Sequence, residues 1–212
     1  MEYNKERIEF LKSEYKKKKK EIRIRLSEFK AVDKKDYFYE LLYCLFTPQS
    51  SALNCFKAVN EIKTKNYFEK PFPLKNILHQ KDGTYIRFHN NKERYAKEAR
   101  LKFSQILEKI CSPMEPFELR QWLVYNVKGL SYKESTHFLR NIGKNGNLAI
   151  LDRHILNNLL AAGAIDEIPK TISKNKYFEI ERIFQDFAKD MNIDINEIDL
   201  LFWSFGTGII LK

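Results

Sequence analysis

Glycine and proline are scarce in this chain, 7 and 6 of 212 residues, and alternating Val/Thr/Ile runs are few. That scarcity argues against a β-sandwich or barrel and for helices joined by short turns. Cysteine is scarcer still. Cys44, Cys55 and Cys111 make an odd number with no C-x-x-C spacing, so neither a four-cysteine iron–sulfur cluster nor a zinc ribbon is expected. Their apolar neighbours, Leu45, Phe56 and Ile110 among them, predict free core thiols. No apolar run approaches the roughly 18 residues of a membrane span, and no N-terminal stretch has the order of a signal peptide. A soluble, intracellular, cytoplasmic protein is expected.

What is present is apolar bulk and positive charge. With 43% hydrophobic and 14% aromatic residues, 212 residues can bury a real core as one large domain or two small ones. The 38 basic against 28 acidic residues give a net charge of +10. That excess favours a polyanionic partner, since each neutralised phosphate releases a counterion. Charge alone is ambiguous, because lysine also enriches solvated helix faces. The run Lys16 to Lys20 fits an exposed helix turn better than a phosphate-binding patch.

Periodicity predicts an all-α chain. One or two amphipathic helices span 4–30, a buried apolar helix runs from Tyr37 to Phe46, and another runs from Ala52 to Ile62. The apolar helix should stop at Thr47-Pro48, because a residue before proline leaves the α region. Pro71, Pro73 and Gly83 mark an irregular connection. Helices follow over about 92–110, 117–125 and 132–142, then from Asp152, over 175–190 and over about 195–205. Gly143 is placed as a left-handed C-cap, and Asp194 to Glu197 as a capping box. Two helical lobes with a cleft between them are expected, one over 35–125 and the other over 1–34 plus 126–212.

The chemistry concentrates between Val127 and His154. Gly129 permits a sharp turn that exposes backbone N–H groups, which suit a phosphate oxygen and orient a duplex without reading its sequence. Ser131-x-x-Glu134 is a capping box, so Lys133 falls in the first turn of the next helix. There the positive helix end disfavours an ammonium and favours the neutral amine that Schiff-base chemistry needs. Asp152 stands at the next helix start, where its carboxylate can cap free N–H groups and stabilise positive charge developing on a sugar. Either residue alone reads as a surface lysine or an ordinary N-cap; their pairing with the hairpin gives the signal.

This segment resembles the helix-hairpin-helix DNA glycosylase motif that ends in a catalytic aspartate. More specifically, the chain is similar to the archaeal-type, second class of 8-oxoguanine DNA glycosylases with AP-lyase activity. The resemblance implies Lys133, four residues after Gly129, as nucleophile and Asp152 as its partner. Lys128 takes the place where many relatives have proline, and Ser131 the place of a second glycine. Lys128, Gly129 and Ser131 would then grip the DNA backbone. Thr47-Pro48-Gln49-Ser50 is similar to the segment whose polar residue enters the duplex, making Gln49 the candidate wedge. Arg87-Phe88-His89-Asn90-Asn91-Lys92 resembles a stretch typical of the class, and Thr207 to Lys212 its characteristic ending.

An enzyme acting on a base in a duplex must flip it out and hold it by stacking and by hydrogen bonds to its edge. Asp199 and Trp203 are four apart and share a helix face, so tryptophan could stack on a purine while aspartate accepts from its edge. Taken without the resemblance, Trp203 reads as core. His137 lies one turn after Lys133 and is placed on the other face of the base, with Phe88 as a weaker stacking residue and Lys212 as a further base-binding group. The expected activity is removal of 8-oxoguanine from double-stranded DNA through a lysine Schiff base, followed by β-elimination. It needs no cofactor or metal and is expected of a monomer away from membranes. A glycosylase for a different damaged or mismatched base, and a non-catalytic helix-hairpin-helix module, are the competing readings.

Overall fold

The computed structural model describes residues 3–80 and 83–210. Among these residues the regular elements are helical, and the one β-bridge is an isolated pair between His79 and Tyr85. No helix among them is long and apolar enough to cross a membrane. The helices are α1 (Lys5–Lys30), α2 (Tyr37–Phe46), α3 (Ala52–Thr64), α4 (Lys75–Leu78), α5 (His89–Leu101), α6 (Phe103–Cys111), α7 (Pro116–Asn126), α8 (Tyr132–Asn141), α9 (Arg153–Ala161), α10 (Lys174–Met191) and α11 (Ile195–Thr207). They fall into two compact units, one of residues 32–142 and one that joins 1–31 to 143–212.

The expected division differs from this one. Residues 126–142 were assigned with the chain ends, but they belong to the middle unit because α8 packs on α2 and α7. Every residue of α8 from Glu134 to Asn141 is buried, so the helix-hairpin-helix cannot be divided at 125 without exposing it.

The middle unit is built on α2, whose nine apolar residues are all buried and against which α3, α5 and α8 pack. An element apolar on every face has to be central. It ends where proline removes a donor, but Thr47 itself stays in the α region (φ −68°, ψ −28°), contrary to the steric expectation. The Thr47 hydroxyl donates to the Cys44 carbonyl at 3.1 Å, taking the place of the N–H that Pro48 lacks. The chain then reverses through Gln49 in the left-handed region (φ 53°). The single helix expected over 92–110 is two, α5 and α6, separated at Lys102.

In the unit of the chain ends, α1 is one continuous helix with Ile22 and Phe29 packed against Leu200 and Leu201 of α11. The lysine run is mostly solvated; Lys18 turns inward and donates to Ser204 Oγ at 2.9 Å. Asp194 caps α11 by accepting from Asn196 N–H at 2.8 Å. The expected reciprocal half is missing because Glu197 pairs instead with Tyr15 and Arg23 of α1, the latter at 2.6 Å. Gly143 takes a left-handed φ of 69° just beyond α8. Of the three cysteines, Cys44 and Cys55 are buried as expected, whereas Cys111 is exposed at the end of α6.

Candidate active site

The hairpin between α7 and α8 begins at Gly129 with φ 92°, a conformation that a Cβ disfavours. A Cβ there would lie 2.6 Å from the Tyr95 ring and 3.0 Å from Leu45 Cδ2. The glycine is therefore required twice, by its torsion and by the close approach of α5. Gly129→Ala should cost about 1–3 kcal/mol of stability and weaken duplex binding, as read by urea unfolding and by anisotropy on a labelled duplex. Unchanged values for both would contradict this account of the turn.

Ser131, where a second glycine is common, is extended (φ −98°, ψ −173°). It needs no left-handed freedom and serves as a cap. Glu134 closes the capping box, accepting from the Ser131 backbone N–H at 3.3 Å and from its hydroxyl. This starts α8 at Tyr132 and fixes Lys133 in the first turn, at the last position before the helix becomes wholly buried.

The Lys133 side chain is 24% exposed, with Nζ 3.4 Å from Glu134 Oε1. The competing Lys128 is 68% exposed and pairs with Glu98 at 3.2 Å, a solvent-facing cation suited to a phosphate. Underneath, α8 is braced by Arg120 of α7, which is fully buried. Its guanidinium lies over the Phe117 and Tyr132 rings and donates to Thr136 Oγ1 at 3.3 Å. His137 is buried with its ring 5.6 Å from that of Tyr43, edge to face. Gln49 and Phe88 are exposed, and both hold left-handed backbone, at φ 53° and 58°.

Sequence reasoning assigned no role to Lys92, which the structure buries on α5 at 4% exposure. Its Nζ donates to the Phe46 and Pro48 carbonyls at 2.6 and 2.7 Å and to Ser50 Oγ at 3.0 Å. Burial, the largest influence, lowers its pKa to about 8; the Cys55 thiol and Glu134 oppose that shift, and Lys133 adds to it. Burial likewise pushes the Cys55 thiol up to about 12, with Lys92 and Lys133 opposing.

In the other unit Asp152 is the N-cap of α9, its Oδ1 accepting from Ile155 N–H at 2.9 Å. His154, on the first turn of α9, packs against Gly206 and faces the Trp203 ring edge-on at 6.5 Å. Asp199 is buried and Trp203 half-buried, one turn apart on α11. Lys212 lies outside the described residues. The middle unit therefore holds Lys133, His137, Gln49, Phe88, Lys128, Gly129 and Ser131, and the other holds Asp152, Asp199 and Trp203.

Residues 22–193 match the model of a family described as 8-oxoguanine DNA glycosylase. An 8-oxoguanine DNA glycosylase/AP lyase of Fusobacterium nucleatum is 41% identical over 209 residues, covering 93% of this chain and 94% of that protein. One of Methanocaldococcus jannaschii is 38% identical, covering 89% of this chain and 90% of the relative. Among solved structures, the Methanocaldococcus jannaschii 8-oxoguanine glycosylase/lyase in complex with 15mer DNA containing 8-oxoguanine is similar over 96% of this chain and 99% of its own, with a TM-score of 0.80 at 35% identity. The Thermotoga maritima 8-oxoguanine DNA glycosylase has a TM-score of 0.81 at 30% identity, over 98% of this chain and 99% of its own. Matched along nearly its whole length in both sequence and fold, the chain belongs to the 8-oxoguanine DNA glycosylase family.

Proposed function

We propose that this protein excises 8-oxoguanine from double-stranded DNA and then cleaves the strand at the resulting site, acting as a monomer without a cofactor. The observation that carries the reading is the placement of Lys133: an accessible amine in the first turn of a buried helix, next to a hairpin whose glycine presents backbone to solvent. A chain this basic is attracted to the phosphate backbone, and Lys128 with the Gly129 N–H would fix its register, while Ser131, its own N–H held by Glu134, sets the shape of the hairpin there.

The chemistry begins with extrusion of the lesion, which Gln49 assists by entering the duplex in its place. Trp203 and Phe88 offer ring faces for the purine, Asp199 an acceptor for its N1–H and exocyclic amine, and His137 and Lys212 complete the set of base-binding residues. The amine of Lys133, once it has given up a proton, attacks C1′ as the glycosidic bond breaks, and the base departs with the bonding pair and takes up a proton. Asp152 stabilises the positive charge spreading over C1′ and the ring oxygen, and accepts the proton the amine gives up. Ring opening gives an imine between Nζ and C1′. Loss of a C2′ proton then expels the 3′ phosphate, and water hydrolyses the imine to free the lysine.

Substrate choice is tested by single-turnover cleavage of otherwise identical duplexes. The guanine-edge acceptor predicts that 8-oxoguanine opposite cytosine is cut about tenfold or more faster than an oxidised pyrimidine, since a site built to pair a base edge rejects bases lacking it. Equal cleavage of every lesion would contradict the assignment.

A further inference from the structure

The end of α2 leaves carbonyls that no backbone N–H can reach, because Pro48 interrupts the ladder and Gln49 reverses the chain. Lys92 meets this need from the neighbouring α5: its three N–H donors are directed to Phe46 O, Pro48 O and Ser50 Oγ. Its charge also faces the negative end of the α2 dipole. Ser50 extends the connection, since its hydroxyl oxygen accepts from the Arg87 backbone N–H at 3.0 Å. Lys92's own backbone N–H bonds to the Phe88 carbonyl at 3.0 Å. One buried side chain thus ties the turn carrying Gln49 to the segment carrying Phe88.

Both of those residues stand exposed in left-handed backbone without being glycine. Such conformations persist only where their surroundings over-determine them. Lys92 is costly to bury, and a buried ammonium is retained only with its donors satisfied. Its donors are committed to protein acceptors, so it is not a second nucleophile, although Lys133 lies within its electrostatic reach.

We propose that Lys92 is a positioning residue that presets Gln49 for entry into the duplex and Phe88 for stacking on the extruded base, an assignment that rests on the glycosylase reading above. It acts on base extrusion rather than on the lysine chemistry at C1′. Two substrates separate these steps. A duplex with 8-oxoguanine requires extrusion, whereas a duplex with a preformed abasic site has no base to extrude and can be trapped by borohydride directly.

With the full-length protein, Lys92→Met should lower single-turnover excision of 8-oxoguanine about tenfold or more. The fluorescence rise of a 2-aminopurine placed beside the lesion, which reports opening of the stack, should fall in parallel. Trapping at the abasic site should stay within about threefold of wild type, because that substrate has no base to extrude. Adding Gln49→Ala should slow excision no further, because the wedge is already misplaced. Ser50→Ala, which keeps both Lys92–carbonyl bonds, should give the same split at smaller size and decides the matter if Lys92→Met does not fold. Equal loss on both substrates, or no loss on either, overturns the assignment. A wild-type protein that traps nothing at an abasic site overturns the glycosylase reading itself, a result distinct from normal wild-type trapping with an unsplit variant.

Discussion

Lys133→Gln should lower strand cleavage at 8-oxoguanine by about 10³-fold or more, the scale of removing a covalent nucleophile, while leaving the fold intact. Glutamine nearly matches the lysine stem and keeps a polar end. Among the described residues the ion pair lost is the partly exposed one with Glu134 at 3.4 Å, of a kind worth about 1 kcal/mol or less. Duplex affinity should change little, because the backbone contacts assigned to Lys128 and Gly129 remain. The check is a single-turnover time course beside thermal unfolding of the same preparation. Cleavage within about tenfold of wild type would remove Lys133 from the chemistry.

Asp152→Asn is the sharper discrimination, because it separates a structural duty from a chemical one. The side chain demonstrably caps α9 through Ile155 N–H, and asparagine caps about as well as aspartate. Stability should therefore fall only by the charge–dipole contribution, about 0.3–1 kcal/mol. Base excision should fall about 10²–10³-fold if the carboxylate stabilises charge developing at the sugar. Asp152→Ala should lose similar activity and a further ~1 kcal/mol of stability through the missing cap. Parallel losses of activity and stability in Asp152→Asn would leave Asp152 as an N-cap only.

How much of this was legible in the sequence depends on whether the determinant is local. The hairpin and both helix starts around it are encoded within a few residues: Gly129 for a left-handed turn, Ser131 with Glu134 for a cap, Asp152 for the next one. These read correctly. The burial of α8 did not, since Glu134, Ser135, Thr136, His137, Arg140 and Asn141 look like a solvated face. They are buried because α8 is enclosed by α2 and α7, with bonds such as Asn141 to Glu40 at 3.0 Å. That packing also places the hairpin in the middle unit.

Lys92 was missed for the same reason: its acceptors lie 42 to 46 positions away, and no short-range pattern announces them. The one cue was Pro48, which guarantees unsatisfied carbonyls at the end of α2 without naming their donor. Glu197 shows the converse error. Its spacing from Asp194 fits a capping box, but the tertiary partners Arg23 and Tyr15 outcompete the local bond. Asp199 and Trp203 share a helix face as their spacing implied.

The central claim is that Lys133 forms the covalent bond to the sugar. The most direct measurement is borohydride reduction of the wild-type protein on a duplex carrying 8-oxoguanine opposite cytosine, followed by proteolysis and mass spectrometry to locate the modified lysine. A reduced sugar adduct on Lys133 alone, absent from Lys133→Gln, is the predicted result. An adduct on Lys128 or Lys92, or one that persists in Lys133→Gln, would contradict it.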